Sequence, residues 1–366
     1  MKYELKAKGE FDYGLVAIAG VIILMGLFVI YSASYQKYVL SGTNLSLRQL
    51  QSAIIGILIA AAVFRIGYQR IIDFGYYIFG ISVILLVLVL FVGDMRYGAR
   101  RWMEIGSFAF QPSEFAKITF IFAIAKYLGD IKEGIEKPKA LVAPFAMALV
   151  PMLLIFKEPD LGTALVFVPV LFTMLFMAGA RLKYLMILIG SGLACAPFLW
   201  FFLKEYQRNR LMVFMNPNLD PLGAGYTIIQ SKIAIGSGGI IGKGWLAGTQ
   251  NQLNFLPEHH TDFIFSVVGE EWGFIGSAVL LFLFYKLVEK GLRIAETTSD
   301  IYGKTLAYGI VTVFAMHTIV NIGMVCGLMP VVGIPLPLVS YGGSSLIMSI
   351  VSIGILENIK NKRKVF

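Results

Sequence analysis

Charge is what this chain has least of. Only 14% of its 366 residues are Asp, Glu, Lys or Arg, against roughly 25% in soluble globular domains. Cysteine is nearly absent: Cys195 and Cys326 both lie inside apolar runs, which excludes a disulfide scaffold and points to buried thiols. Histidine is limited to His259, His260 and His317. With no thiolate or third histidine near them, His259 and His260 beside Glu258 and Asp262 do not read as a structural zinc site. Strand alternation is missing too, which excludes a β-barrel. No cleavable leader is evident, because the first apolar run, 13–33, is about 20 residues long and suits an anchor.

What is present is hydrophobic: 57% of residues, with a mean hydropathy of +0.76. Apolar runs are centred on 13–33, 50–64, 74–93, 114–128, 141–156, 161–179, 184–203, 263–288, 305–328 and 344–358. A hydrocarbon core of about 30 Å takes about 20 residues of helix, and helices satisfy their own backbone there. The expected fold is an all-α polytopic membrane protein. It is one integral membrane domain over 1–366, with ten transmembrane helices and a large extracytoplasmic loop, 204–262, between helices seven and eight.

The net charge of +9 marks topology rather than a nucleic-acid partner. With the N-terminus inside, 19 of the 31 Lys and Arg residues fall on cytoplasmic segments, as the positive-inside rule requires. Both termini are then cytoplasmic, and the polar loop that ends at Asp262 faces outward. Asp262 directly precedes the run beginning Phe263-Ile264-Phe265, so it is placed at the first turn of a helix where water meets bilayer.

Further polar residues cluster in the outer segments. Pro112 followed by Glu114 is a helix-start signal; Glu114 and Lys117 share a face three residues apart. They either face a polar cavity, as ionisable groups at that depth do, or tie two helices together. Arg100, Arg101 and Trp102 precede them. Asp160 reads equally as a helix cap and as a site residue. Arg48 and Gln49 read as interfacial anchors, and the first three helices as carrying little chemistry. The glycines of 236–244, with Lys232 and Lys243 interspersed, resemble a phosphate cradle without Walker spacing; Tyr226 to Ile235 reads as an interfacial amphipathic helix. Glu270 and Glu271, two turns into the eighth helix, need either protons or partners. His317 and Asn321, one turn apart, read as an interhelical polar contact. Prolines and glycines from Pro330 to Ser345 imply broken backbone, which is tolerated at membrane depth only against protein or a wet cavity.

Several of these stretches together closely resemble the SEDS family (shape, elongation, division, sporulation). They are Arg101-Trp102, Gln111-Pro112-Ser113-Glu114 with Lys117, Glu158 to Thr163, Tyr206-Gln207-Arg208 and Asp220-Pro221. Gly223 to Tyr226, Gln230-Ser231-Lys232, Gly236 to Gly239, Pro257 to Phe263 and Pro335 to Ser344 complete the set. The likeness spans nearly the whole chain and favours the elongation branch over the division branch. It implies a ten-helix peptidoglycan glycosyltransferase that polymerises lipid II at the outer face of a bacterial cytoplasmic membrane. In that family the aspartate matching Asp262 is essential, the tryptophan matching Trp102 is important, and the pair matching Glu114 and Lys117 lines the same cavity. The usual partner is a class B penicillin-binding protein, a transpeptidase.

Conversion of an α-linked diphosphate into a β-1,4 bond fits a single inverting displacement. A glycosidase needs two carboxylates because its leaving alcohol must be protonated; a diphosphate leaves without a proton, so one base suffices. Asp262 is that base. Arg101, Lys117, Arg208 and Arg210 are candidates to hold the diphosphate, and Trp102, Glu114, Asp160, Lys232 and Ser344 complete the expected substrate-binding set. A divalent cation, Mg²⁺ or Mn²⁺, shared with Asp262 stays open. So do two other roles: a lipid II flippase and a noncatalytic scaffold.

Overall fold

The computed structural model describes residues 11–96, 99–106, 108–131, 135–221 and 223–362. The chain opens with α1 (Tyr13–Ala33), short α2 (Tyr35–Ser41), α3 (Leu45–Ile66), short α4 (Tyr68–Asp73) and α5 (Gly75–Val92). Three strands follow: β1 (Asp94–Arg96), β2 (Ala99–Ile105) and β3 (Phe108–Phe110). Next come α6 (Pro112–Asp130), α7 (Pro138–Lys157), α8 (Leu161–Met177) and α9 (Leu182–Leu199). The polar stretch carries α10 (Glu205–Met215), α11 (Ala224–Ser237) and the single turn α12 (Thr249–Gln252). The chain closes with α13 (Ile264–Thr297), α14 (Ile301–Val325) and α15 (Gly343–Asn361).

Each of the ten apolar runs lies on a helix. Among the described residues, α1, α3, α5, α7, α13 and α14 are long and apolar enough to cross a membrane; α8 and most of α9 are shorter apolar helices. Helix α6 instead is buried along nearly its whole length, packed by α5, α14, α7 and α8, so its charged Glu114 and Lys117 are shielded by protein rather than lipid. Helix α15 packs along α3. Small residues let those two backbones meet: a Cβ on Gly354 would sit 2.9 Å from that of Ala60, the close approach typical of membrane helix pairs.

The all-helical expectation needs one correction. Between α5 and α6 the chain forms a three-stranded antiparallel sheet in the order β1-β2-β3. Asp94 pairs with Trp102, and Met103 with Phe110. Strands of three residues are too short to show alternation in sequence, and Gly106 at φ 64° supplies the left-handed turn between β2 and β3.

Two irregular segments are explained by where their backbone bonds go. Helix α13 kinks at Gly273, whose φ is 65°. There the glycine-rich run takes over the broken ladder: Lys243 N and Gly244 N donate to the carbonyls of Glu270 and Glu271, and Phe274 N and Ile275 N donate to Gly239 and Ile240. Glycine is required because a Cβ on Gly238 or Gly242 would lie about 2 Å from a carbonyl oxygen of α13. The run is a brace on α13, which corrects the phosphate-cradle reading. The two buried acids are partnered as well: Glu270 accepts from Lys243 of this run at 2.7 Å, and Glu271 from Ser32 of α1 at 2.5 Å.

The second is residues 326–342, between α14 and α15. This strap lacks regular helix, yet Ile334, Leu336, Leu338 and Val339 are buried. Its polar backbone is satisfied from all sides, as burial demands. Leu336 N donates to Ser340 Oγ, Gln49 Nε2 to the Ser340 carbonyl, and Gly342 N to Gln49 Oε1.

Candidate active site

The sheet, the strap, the end of the polar stretch and the adjoining helix ends enclose a cavity of about 1210 Å³. That exceeds the usual 300–1,000 Å³ of small-ligand pockets. Asp262, Arg101, Trp102, Glu114, Asp160, Arg210 and Ser344 all line it. Lys117, Arg208 and Lys232 do not line it.

Asp262 is half-buried. It precedes α13 rather than lying in its first turn, since Phe263 is the cap and Ile264 the first helical residue. Burial, then the carboxylates of Glu258 and Asp160, push its pKa up to about 7; Arg210 and Arg101 pull the other way. Desolvation therefore outweighs the helix end, and the group is poised where a general base works best at neutral pH.

Arg101 comes from β2 and crosses to the α7–α8 turn. Its Nε donates to the Glu158 carbonyl at 2.8 Å, its Nη2 to the Pro159 carbonyl, and its Nη1 lies 3.8 Å from Asp160 Oδ2. Asp160 accepts from Thr163 N and Oγ1 as the cap of α8, and it also lines the cavity. Glu158 next to it is buried with neither carboxyl oxygen partnered. Burial and Asp160 raise its pKa to about 8 against the pull of Arg101, so it is mostly protonated at neutral pH. Arg210 donates to the Val331 carbonyl at 3.2 Å, which brings α10 onto the strap. Ser344 accepts from Gln111 N and donates to the Ala109 carbonyl, joining α15 to the start of α6.

Lys117 sits behind Glu114. Its Nζ is 2.8 Å from Glu114 Oε1 and 3.0 Å from His317 Nε2, beside a void of about 20 Å³, room for one water. Glu114 and Ser345 line both spaces. Arg208 instead closes the end of α9, donating to the carbonyls of Trp200 and Phe201. Lys232 packs on Gly327, its Cε 2.2 Å from where a Cβ there would be. The cavity is also lined by Lys37, Lys204 and Tyr341, which sequence reasoning passed over, by Arg48, which it read as an interfacial anchor, and by Glu258 and His260, which it weighed only as zinc ligands. Burial, with His259 next, lowers the His260 pKa to about 4, so that ring is neutral. The one local signal was Arg48-Gln49 ahead of an apolar run; the structure makes Arg48 a wall of the cavity and Gln49 a clamp on the strap. For Mg²⁺ or Mn²⁺, no three His, Cys, Asp or Glu side chains converge as a ligand set among the described residues.

Known proteins resemble the chain in sequence and in fold. The family described as the cell cycle protein FtsW/RodA/SpoVE matches residues 13–365. The peptidoglycan glycosyltransferase MrdB of Escherichia coli K12 is 41% identical over 360 residues, covering 98% of this chain and 95% of that protein. The peptidoglycan glycosyltransferase RodA of Treponema pallidum is 33% identical, covering 98% and 99%. Among solved structures, a chain from a peptidoglycan synthase complex that coordinates polymerization and crosslinking superposes with a TM-score of 0.82 at 34% identity, covering 96% and 97%. The rod shape determining protein RodA of Thermus thermophilus gives 0.73 at 28% identity, covering 97% and 98%. By sequence and by fold, the chain belongs to the FtsW/RodA/SpoVE family of cell cycle proteins, the SEDS family.

Proposed function

We propose that the cavity joins lipid-linked disaccharides into glycan, with Asp262 as general base. The chain is a peptidoglycan glycosyltransferase. In the reaction assigned to this cavity, Asp262 takes the proton of the acceptor sugar's 4-hydroxyl as that oxygen attacks the anomeric carbon of the donor. The bond from that carbon to the lipid diphosphate breaks on the opposite face, inverting α to β and releasing undecaprenyl diphosphate. No acid is required on the leaving side. Arg101 and Arg210 are the assigned holders of the departing charge, because they line the cavity with Asp262 where Lys117, Arg208 and Lys232 do not.

The observation that carries this reading is the half-buried carboxyl of Asp262, its pKa pushed up to about 7 by burial, opening into a large cavity that Arg101 and Arg210 also line. The topology assigned with it has ten spans, both termini cytoplasmic and the cavity outward, in one membrane-embedded domain. The partner is a class B penicillin-binding protein, acting during elongation. A flippase would need a polar route through the bundle. Below Glu114 the structure offers instead a void of about 20 Å³ beneath which Phe120, Ile121 and Ile124 are buried.

The pH dependence of polymerisation tests the base. Asp262 must be ionised to work, so kcat/KM should rise about tenfold per pH unit up to a bend near pH 7 and level off above it. A rate that is flat from pH 5 to 8 would contradict the assignment.

A further inference from the structure

Asp262 stands on backbone that no helix fixes. Three successive carbonyls there are captured by donors from outside the segment: that of His260 by Tyr341 N at 2.9 Å, that of Thr261 by Ser340 Oγ at 2.7 Å, and that of Asp262 by Asn321 Nδ2 at 2.9 Å. The third donor differs from the other two. Asn321 belongs to α14, is fully buried, and donates a second bond, 2.7 Å, to the Ile334 carbonyl of the strap. One turn away, His317 accepts from Lys117 through Nε2 and reaches the Pro335 carbonyl through Nδ1 at 3.2 Å. Adjacent side chains of α14 therefore hold both the peptide of Asp262 and the lysine behind Glu114. Asn321 Oδ1 has no hydrogen-bond partner, so everything this amide gains in its buried place comes from two bonds that register Asp262 against the strap.

We infer that Asn321 is a positioning residue for the reaction: it fixes the direction of the Asp262 carboxyl by clamping that residue's carbonyl to the strap and to α14. The inference rests on Asp262 being the base. A displaced base loses rate more than affinity, and a misplacement of about 1 Å can cost on the order of 100-fold. A carboxyl released toward the cavity would also become better hydrated and more acidic.

The full-length chain, assayed with lipid II alone and with a co-expressed transpeptidase, supplies the test. Asn321→Ala should lower kcat by roughly 10- to 100-fold with KM within about twofold, and should move the acid limb of the rate profile below that of the unaltered protein. Asn321→Gln, which keeps the donors, should recover part of the rate. Should the alanine variant not be recovered folded, Asn321→Leu keeps the shape, removes the donors without adding charge, and must show the same limb shift. An unchanged kcat and limb, or a loss of activity matched by loss of folded protein with the limb in place, would overturn the inference. Asp262→Asn assayed in parallel separates the two claims. Normal polymerisation by it defeats the base itself; its silence alongside a fully active Asn321→Ala defeats only the clamp.

Discussion

Glu258 is the residue whose charge Asp262 feels most, after burial itself. Glu258→Gln removes a like charge, so the Asp262 carboxyl becomes more acidic and the acid limb of kcat/KM should move below pH 7. A limb that stays put or moves to higher pH would show that the two carboxylates do not interact. Glu158 carries a different signature. Its pKa is raised to about 8 from an ordinary 4.5, so the folded state holds a proton that the unfolded chain releases. Stability from this group is complete below pH 4.5 and is lost as pH rises toward 8. Glu158→Gln should therefore raise the melting temperature at pH 8 and leave it nearly unchanged at pH 4.5, measured by thermal unfolding in detergent. At this scale the sequence was legible where one residue carries its own local signal. Asp160 three residues before Thr163 is a cap, and Asp262 ends a polar stretch. Lys37 and Lys204 gave no such signal and Arg48 read only as an interfacial anchor, because what makes the three cavity residues is the meeting of α2, α3 and α10 around the strap.

The elements most plainly written in the sequence are the helices, since about 20 apolar residues in a row have few alternatives in a membrane. The strap was legible through its prolines and glycines. The sheet was not, because its order comes from pairings such as Asp94 with Trp102, which no local pattern displays. Nor was the brace on α13: a glycine run reads the same whether it cradles phosphate or lets a loop touch a helix. Gly333 shows how tightly the strap is drawn around the acid. Its φ is 75°, and a Cβ there would lie 3.3 Å from Asp262 Oδ2. Gly333→Ala thus combines a left-handed backbone, costing about 1–2 kcal/mol for a residue with a Cβ, with crowding of the carboxyl. The expected outcome is a several-fold fall in kcat with a small drop in melting temperature. Unaltered kcat would mean that the carboxyl does not depend on that space.

Taken whole, the residues assigned to the reaction gather around one large cavity, with buried side chains of α6 and the strap packed behind it. The low charge content foretold a membrane protein, but not that α6 would keep Glu114 and Lys117 by being wrapped in other helices. The cavity walls come from segments far apart in the chain: β2, the α7–α8 turn, α10, the residues before α13, and the strap. This is why a list of polar residues from the sequence mixed true lining groups with Arg208 and Lys232, which serve other contacts. The central claim is that one carboxylate performs the proton transfer for glycan polymerisation. Glycan formation from purified lipid II by Asp262→Asn, with melting temperature and transpeptidase binding followed on the same sample, tests it most directly. The account expects a folded, partner-competent protein that makes no polymer; polymer at the unaltered protein's yield would contradict it.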